Sequence, residues 1–102
     1  SVKTISHFAF YGCVSLGSVK IGHGVETLGI SAFHSCSRLR YVTMPKSVKK
    51  IDMNAFKDVN NLTYVYYEGL PEDFDAIEID QTNYLIKDAQ RFYECGYDGD
   101  KK

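Results

Sequence analysis

VETLGISAFHSCSRLRYVTMP, residues 25–45, decides the architecture, because moving it 23 positions toward either end of the chain finds it again. Val2, Val25 and Val48 stand in register, as do Ile5, Leu28 and Ile51, then Ala9, Ala32 and Ala55, and Phe10, Phe33 and Phe56. Further along, Leu16 matches Leu39 and Leu62, and Val19 matches Val42 and Val65. A fixed period of this size marks a solenoid, in which no unit can bury its apolar face except against its neighbours. The repeat reads V-x-x-I/L-x-x-x-A-F-x-x-C/V-x-x-L-x-x-V-x-I/M/Y, in phase across residues 1–23, 24–46 and 47–69.

Within a repeat, Val42 and Met44 are two apart and share one face of a strand, with Tyr41 and Thr43 on the other. Leu39, three before Val42, points inward only if the chain bends between them, which leaves a short strand of about four to six residues. Val48, Ile51 and Ala55 also fit one face of a helix. The run is too short for a self-sustaining helix, which favours an extended piece at residues 48–51 and a tight helical turn at Ala55 and Phe56. Gly22 and Pro45 share the slot after the strand and read as corners.

After Glu68 and Gly69 the pattern stops. Pro71, Glu72 and Asp73 are a helix-start signal, leading to Phe74, Ile77 and Ile79. Residues 83–94 read as a turn and a closing strand, with Ala89, Arg91 and Tyr93 alternating against Gln90, Phe92 and Glu94. The chain thus divides into an array over residues 1–69, a C-terminal cap over 70–95 and a Gly- and Asp-rich disordered tail over 96–102, forming one domain. Charge divides at the same place. Residues 1–69 hold eight Lys/Arg against four Asp/Glu, and residues 70–102 hold four against nine.

Composition narrows function by exclusion. With eight Tyr, six Phe and no Trp, the chain has apolar content for one packed core. No apolar run reaches the roughly eighteen residues that span a membrane, and the array's modest positive surplus lacks the clustered basic stripe of a nucleic-acid binder. The chain carries no signal peptide at its start and reads as a mature or excised fragment. Cys13 and Cys36 occupy a slot that holds Val59 in the third repeat, so the position asks for a small apolar volume and the pair reads as buried free thiols. Cys95, near the frayed end, is a cross-linking site. His7, His23 and His34 fall in three different slots, and His34 with Cys36 falls short of a zinc signature, so no metal site is expected. No nucleophile elbow or phosphate loop is present, and no catalytic residue or cofactor is assigned. Asn61, Leu62 and Thr63 match a glycosylation acceptor, relevant to a chain secreted by a eukaryote.

The candidate site is the outward side of the strand ladder: Ser18 and Lys20, then Tyr41 and Thr43, then Tyr64 and Tyr66, with Arg40 flanking. Tyr gives a large rigid contact with a hydrogen-bonding tip, which suits recognition. The same rings paired across strands also stabilise a sheet, by about 0.2 to 1 kcal/mol per pair.

These residues carry a family resemblance. SVKKIDMNAFKDVNNLTYV and VETLGISAFHSCSRLRYVTMPKSV resemble the BspA-type leucine-rich repeat of bacterial and protist surface proteins, and VYYEGLPEDFDAIEIDQTNYLIKDAQRFY is similar to the unit that closes such arrays, with Phe74 where an aromatic is expected. Departures are Gly22 and Glu68 at the usual Pro slot and Val59 at the usual Cys slot. The resemblance implies a β-rich leucine-rich-repeat solenoid: a right-handed coil of three 23-residue repeats with short parallel strands, plus a C-terminal capping unit with a short helix. It also implies a non-catalytic, surface-exposed or secreted interaction or adhesion module with a protein ligand, in some members a host extracellular-matrix protein. A structural stalk, with binding upstream, is the alternative. Self-association through the N-terminal coil is expected wherever its apolar underside of Val2, Ile5, Phe10 and Val19 lies uncovered.

Overall fold

The computed structural model describes residues 3–94. Val2, Cys95 and the tail expected over 96–102 lie outside the described residues. Among the described residues eight short strands make two parallel ladders. The first holds β1 (Thr4–Ile5), β3 (Thr27–Leu28), β5 (Lys50–Ile51) and β7 (Glu78–Ile79), in that order. The second holds β2 (Ser18–Lys20), β4 (Tyr41–Met44), β6 (Tyr64–Tyr67) and β8 (Gln90–Phe92). Each layer therefore gives one strand to each ladder, β1 and β2 in layer one, up to β7 and β8 in layer four.

The sequence period is the pairing register. Thr4 pairs with Thr27 and Thr27 with Lys50, while Val19 pairs with Val42 and Val42 with Val65. Residues one period apart thus sit one above another, and the inward columns close into a core: Leu28 and Ile51, Ala32 and Ala55, Phe33 and Phe56, Val42 and Val65 are all fully buried. The Phe10, Phe33 and Phe56 rings stack in parallel with 5.2 Å between successive centroids.

Between the two strands of a layer the chain makes linked turns in place of the expected helical turn at Ala55 and Phe56. The reason lies in backbone handedness. Phe8, Ser31 and Asn54, in register, have φ of 62°, 57° and 60°, and four positions on Gly12, Ser35 and Asp58 have φ of 69°, 63° and 63°. Left-handed residues at this spacing interrupt any right-handed helix. Alternate amides then serve two purposes. Those of Ala32, His34 and Cys36 donate three residues back, to Gly29, Ser31 and Phe33. Those of Ser31, Phe33 and Ser35 donate to the next layer, to the carbonyls of Met53, Ala55 and Lys57.

The cap continues both ladders, so the closing strand is a fourth rung. Lys50 pairs with Glu78 and Tyr64 with Gln90, offsets longer than the repeat because α1 (Pro71–Asp75) is inserted before β7. Pro71 opens α1 as expected, and the Asp73 carboxylate accepts the Leu70 N–H at 3.0 Å. The turn expected from residue 83 is helical, a 3-10 turn (Gln81–Asn83) running into α2 (Tyr84–Asp88), and the strand is confined to β8. Such a helix has no carbonyl row to offer layer three. Side chains replace it: the Asn54 N–H donates to Thr82 Oγ1 at 2.7 Å and the Phe56 N–H to Asn83 Oδ1 at 2.8 Å. Asn83, fully buried, also donates from Nδ2 to the Asp52 carbonyl at 2.8 Å. Asp80 fixes this turn by accepting from the Thr82 amide and hydroxyl, and those two bonds hold its carboxyl below the usual range. Arg91 fills the inward slot after Val65, with its guanidinium 4.5 Å over the Phe74 ring, Nη1 donating to the Lys87 carbonyl and Nε to the Tyr93 hydroxyl. An amphipathic side chain at that slot lids the core with its stem and keeps its charge satisfied.

Candidate functional site on the second ladder

Outward positions of the second ladder form two rows, Ser18, Tyr41, Tyr64 and Gln90 in one, and Lys20, Thr43, Tyr66 and Phe92 in the other. The rings make one connected cluster. Tyr41 meets Tyr66 edge to face at 5.9 Å, Tyr64 lies 6.2 Å from Tyr66 and 5.8 Å from Phe92, and Tyr66 stacks on Phe92 at 5.3 Å. Such contacts hold the rings in place, which lowers the entropy lost when they meet a partner.

Six of the seven expected residues lie at the surface. Ser18, Lys20 and Arg40 are exposed, and Tyr41, Tyr64 and Tyr66 are half-buried against one another. Arg40 immediately precedes β4, its amide donating to the Gly17 carbonyl and its own carbonyl accepting from Thr63 and Tyr64, so its side chain flanks the cluster. Thr43 departs from expectation, being only 3 % exposed. It sits two residues after Tyr41 and opposite Tyr66, whose rings meet and leave no opening to a small side chain between them. Phe92 was not foreseen as part of the face and is 38 % exposed there. Its alternation with Arg91 and Tyr93 was visible; its parallel pairing with Tyr66 was hidden by the inserted α1.

Other constellations are structural. His34 Nδ1 meets Ser35 Oγ at 2.8 Å, yet Asp58 stands 3.9 Å from Nε2, beyond hydrogen-bond range, so that carboxylate does not orient the imidazole through a hydrogen bond. The His7 ring accepts the Ile30 N–H at 2.7 Å, and His23 pairs with Glu68 at 2.8 Å. Cys13 and Cys36 are free thiols, but only Cys36 is buried as expected, Cys13 in the end layer being half-buried; the Cys36 thiol, its pKa pushed up by burial, donates to the Phe10 carbonyl at 3.0 Å. Asn61 Nδ2 donates to the Ser37 carbonyl at 2.7 Å, holding the acceptor-like triplet in place at an exposed corner. Among the described residues no group of three or more His, Cys, Asp or Glu could hold a metal, and no helix is long and apolar enough to cross a membrane.

Short parallel strands stacked at a constant sequence interval, with few helices and a contiguous outward aromatic cluster, define a β-rich repeat protein of the leucine-rich class. The family model for the BspA type leucine rich repeat region (6 copies) matches residues 1–80, and the chain belongs to that family. No curated protein and no solved structure gives a match. The family's repeats are generally non-catalytic protein-interaction modules and typically surface-associated.

Proposed function

We propose that this chain is a non-catalytic adhesion or protein-binding module of a surface-exposed or secreted protein, binding a protein ligand through the second ladder's outward face. Its array, residues 1–69, forms three 23-residue coils of a right-handed solenoid, and residues 70–95 close it. Right-handedness is supported by the strong general preference for that hand in parallel crossover connections. Within the site Tyr41, Tyr64 and Tyr66 supply contact area, Ser18, Lys20 and Arg40 supply polar and cationic flanks, and Thr43 supports the rings from below. The connected ring cluster carries this reading, since the inward columns already close the core without it. The test is binding of purified extracellular-matrix proteins to the immobilised chain and to Tyr41→Ser/Tyr64→Ser, with circular dichroism as the folding control. Loss of at least tenfold in affinity with the spectrum retained is expected, and unchanged affinity in a folded variant overturns the assignment.

A second reading, a stalk segment of a longer surface protein, is favoured by layer one, where Phe10 is 39 % exposed while its column-mates Phe33 and Phe56 are fully buried. In that reading the N-terminal layer takes another coil or a second copy. Sedimentation over a concentration series decides the second copy: a strict monomer at high concentration removes it.

A further inference from the structure

We infer that the protein segment seated on the second ladder's outward face is acidic, its carboxylates meeting Lys20, Arg40 and the rims of the rings; this rests on the reading of that face as the binding surface. Three observations converge there. First, the face holds cations without anions. The strands β2, β4, β6 and β8 contain no Asp or Glu, Lys20 and Arg40 are exposed, and among the described residues neither makes an ion pair. The first ladder differs, since its exposed Lys50 is answered by the exposed Glu78 one rung on. Second, the rings present their rims. Tyr66 and Phe92 lie 15° from parallel with centroids 5.3 Å apart, close to the spacing of about 4.8 Å between neighbouring strands, so the stack runs along the ladder and both rims point away from the sheet. An aromatic rim carries partial positive charge and its face partial negative charge, which suits the rim to a carboxylate. A cation needs an open ring face, and Tyr66 and Phe92 turn theirs on each other. Third, the face lies along the side of the stack, so further coils at either end would lengthen it without covering it.

Strand register converts these into a ligand pattern. Arg40 immediately precedes Tyr41, and Lys20 pairs with Thr43. The two cations therefore stand at opposite ends of neighbouring strands, about 10 Å apart along the strand direction at roughly 3.3 Å per residue. A polyproline II segment returns to the same side every three residues, about 9 Å further on. Carboxylates at positions i and i+3 of such a segment reach both cations, and the prolines between them lay apolar surface over Tyr41 and Tyr66. A sulfated polysaccharide shares the charge and offers no comparable apolar surface to the rings.

The probe is fluorescein-labelled Gly-Glu-Pro-Pro-Glu-Pro-Pro-Glu-Gly, titrated with the full chain in low salt and read by anisotropy. Its prolines lack the N–H groups that pairing with a strand edge requires, so binding reports the face. Saturable binding is expected, at least tenfold tighter than that of the same peptide with Lys in place of Glu. It should weaken at least tenfold in Lys20→Glu/Arg40→Glu and in Tyr41→Ser/Tyr64→Ser, with circular dichroism as the folding control. Lys50→Glu, the same charge change on the other ladder, should shift affinity less than threefold. An acidic peptide that binds no tighter than the basic one, indifference to the double charge reversal, or heparin binding tighter than the peptide would each overturn the acidic segment. The two readings fail separately. Matrix-protein binding that is lost in Tyr41→Ser/Tyr64→Ser and unchanged in Lys20→Glu/Arg40→Glu overturns the acidic partner alone, whereas matrix-protein binding that survives Tyr41→Ser/Tyr64→Ser overturns the face itself.

Discussion

Gly29 shows how closely the layers approach: a Cβ built on it falls 2.7 Å from both the His7 amide nitrogen and the Ile5 carbonyl oxygen. These are backbone atoms and cannot swing aside. Gly29→Ala should destabilise by about 1 to 3 kcal/mol in urea melts, the usual cost of forcing backbone apart; a neutral effect would mean the first two layers are looser than described. Position within the stack grades the core. Phe33 has a ring on each side and no exposure, and its truncation to Ala should cost about 3 to 5 kcal/mol, with Phe10→Ala clearly less. Equal losses would place a cover over Phe10. The Cys36 slot adds a pH dependence. Burial raises the folded thiol's pKa, while the unfolded thiol ionises near about 8.5. Above that pH the unfolded state has lost a proton that the folded state keeps, so stability is full below it and falls as pH rises. Cys36→Val, matching Val59 one layer on, should flatten the fall in denaturant midpoints above the unfolded thiol's pKa of about 8.5. Tyr67, raised by burial and then by Asp73, acts in the same direction at higher pH and persists in that variant. Thiol reagents should reach Cys36 only on unfolding.

At the element scale the decisive piece is the turn that ends the stack. Layer three points the amides of Asn54 and Phe56 toward the cap, and Thr82 and Asn83 receive them with side-chain oxygens. Asn83→Leu keeps the volume and removes both of its bonds, leaving the Phe56 N–H buried and unmatched and the Asp52 carbonyl with the Ala55 amide as its remaining donor. The expected loss is about 1 to 3 kcal/mol from the one unsatisfied group. Amide exchange should accelerate at Phe56 before it does at Phe33; uniform acceleration would make Asn83 a global core residue and not a cap. None of this was legible in sequence, because Thr82 and Asn83 resemble ordinary turn residues and their partners lie 28 and 27 positions away. The turn geometry was hidden for a related reason. Val48, Ile51 and Ala55 have helical spacing since the chain wraps a corner there, and only the in-register Gly12, Ser35 and Asp58 hint at left-handed backbone. Helix α1, by contrast, was readable from Pro71 and the acids after it.

Across the whole molecule, the 23-residue period translated directly into strand register, because residues in a stacked column must match in size. That same rule placed Tyr41, Tyr64 and Tyr66 outward. It could not reveal that Thr43 is roofed by rings, since alternation states which way a side chain points and not what lies above it. Nor could it extend the face to Phe92 across an insertion that changes the interval. The account rests centrally on every layer, the cap included, adding a parallel rung to both ladders. Backbone NOEs in isotope-labelled protein test this most directly. Val42 should show cross-strand contacts to both Val19 and Val65, and Val65 to Arg91, in the pattern of parallel strands. Contacts from Val65 to Val42 alone, or an antiparallel pattern between residues 64–66 and 90–92, would contradict it.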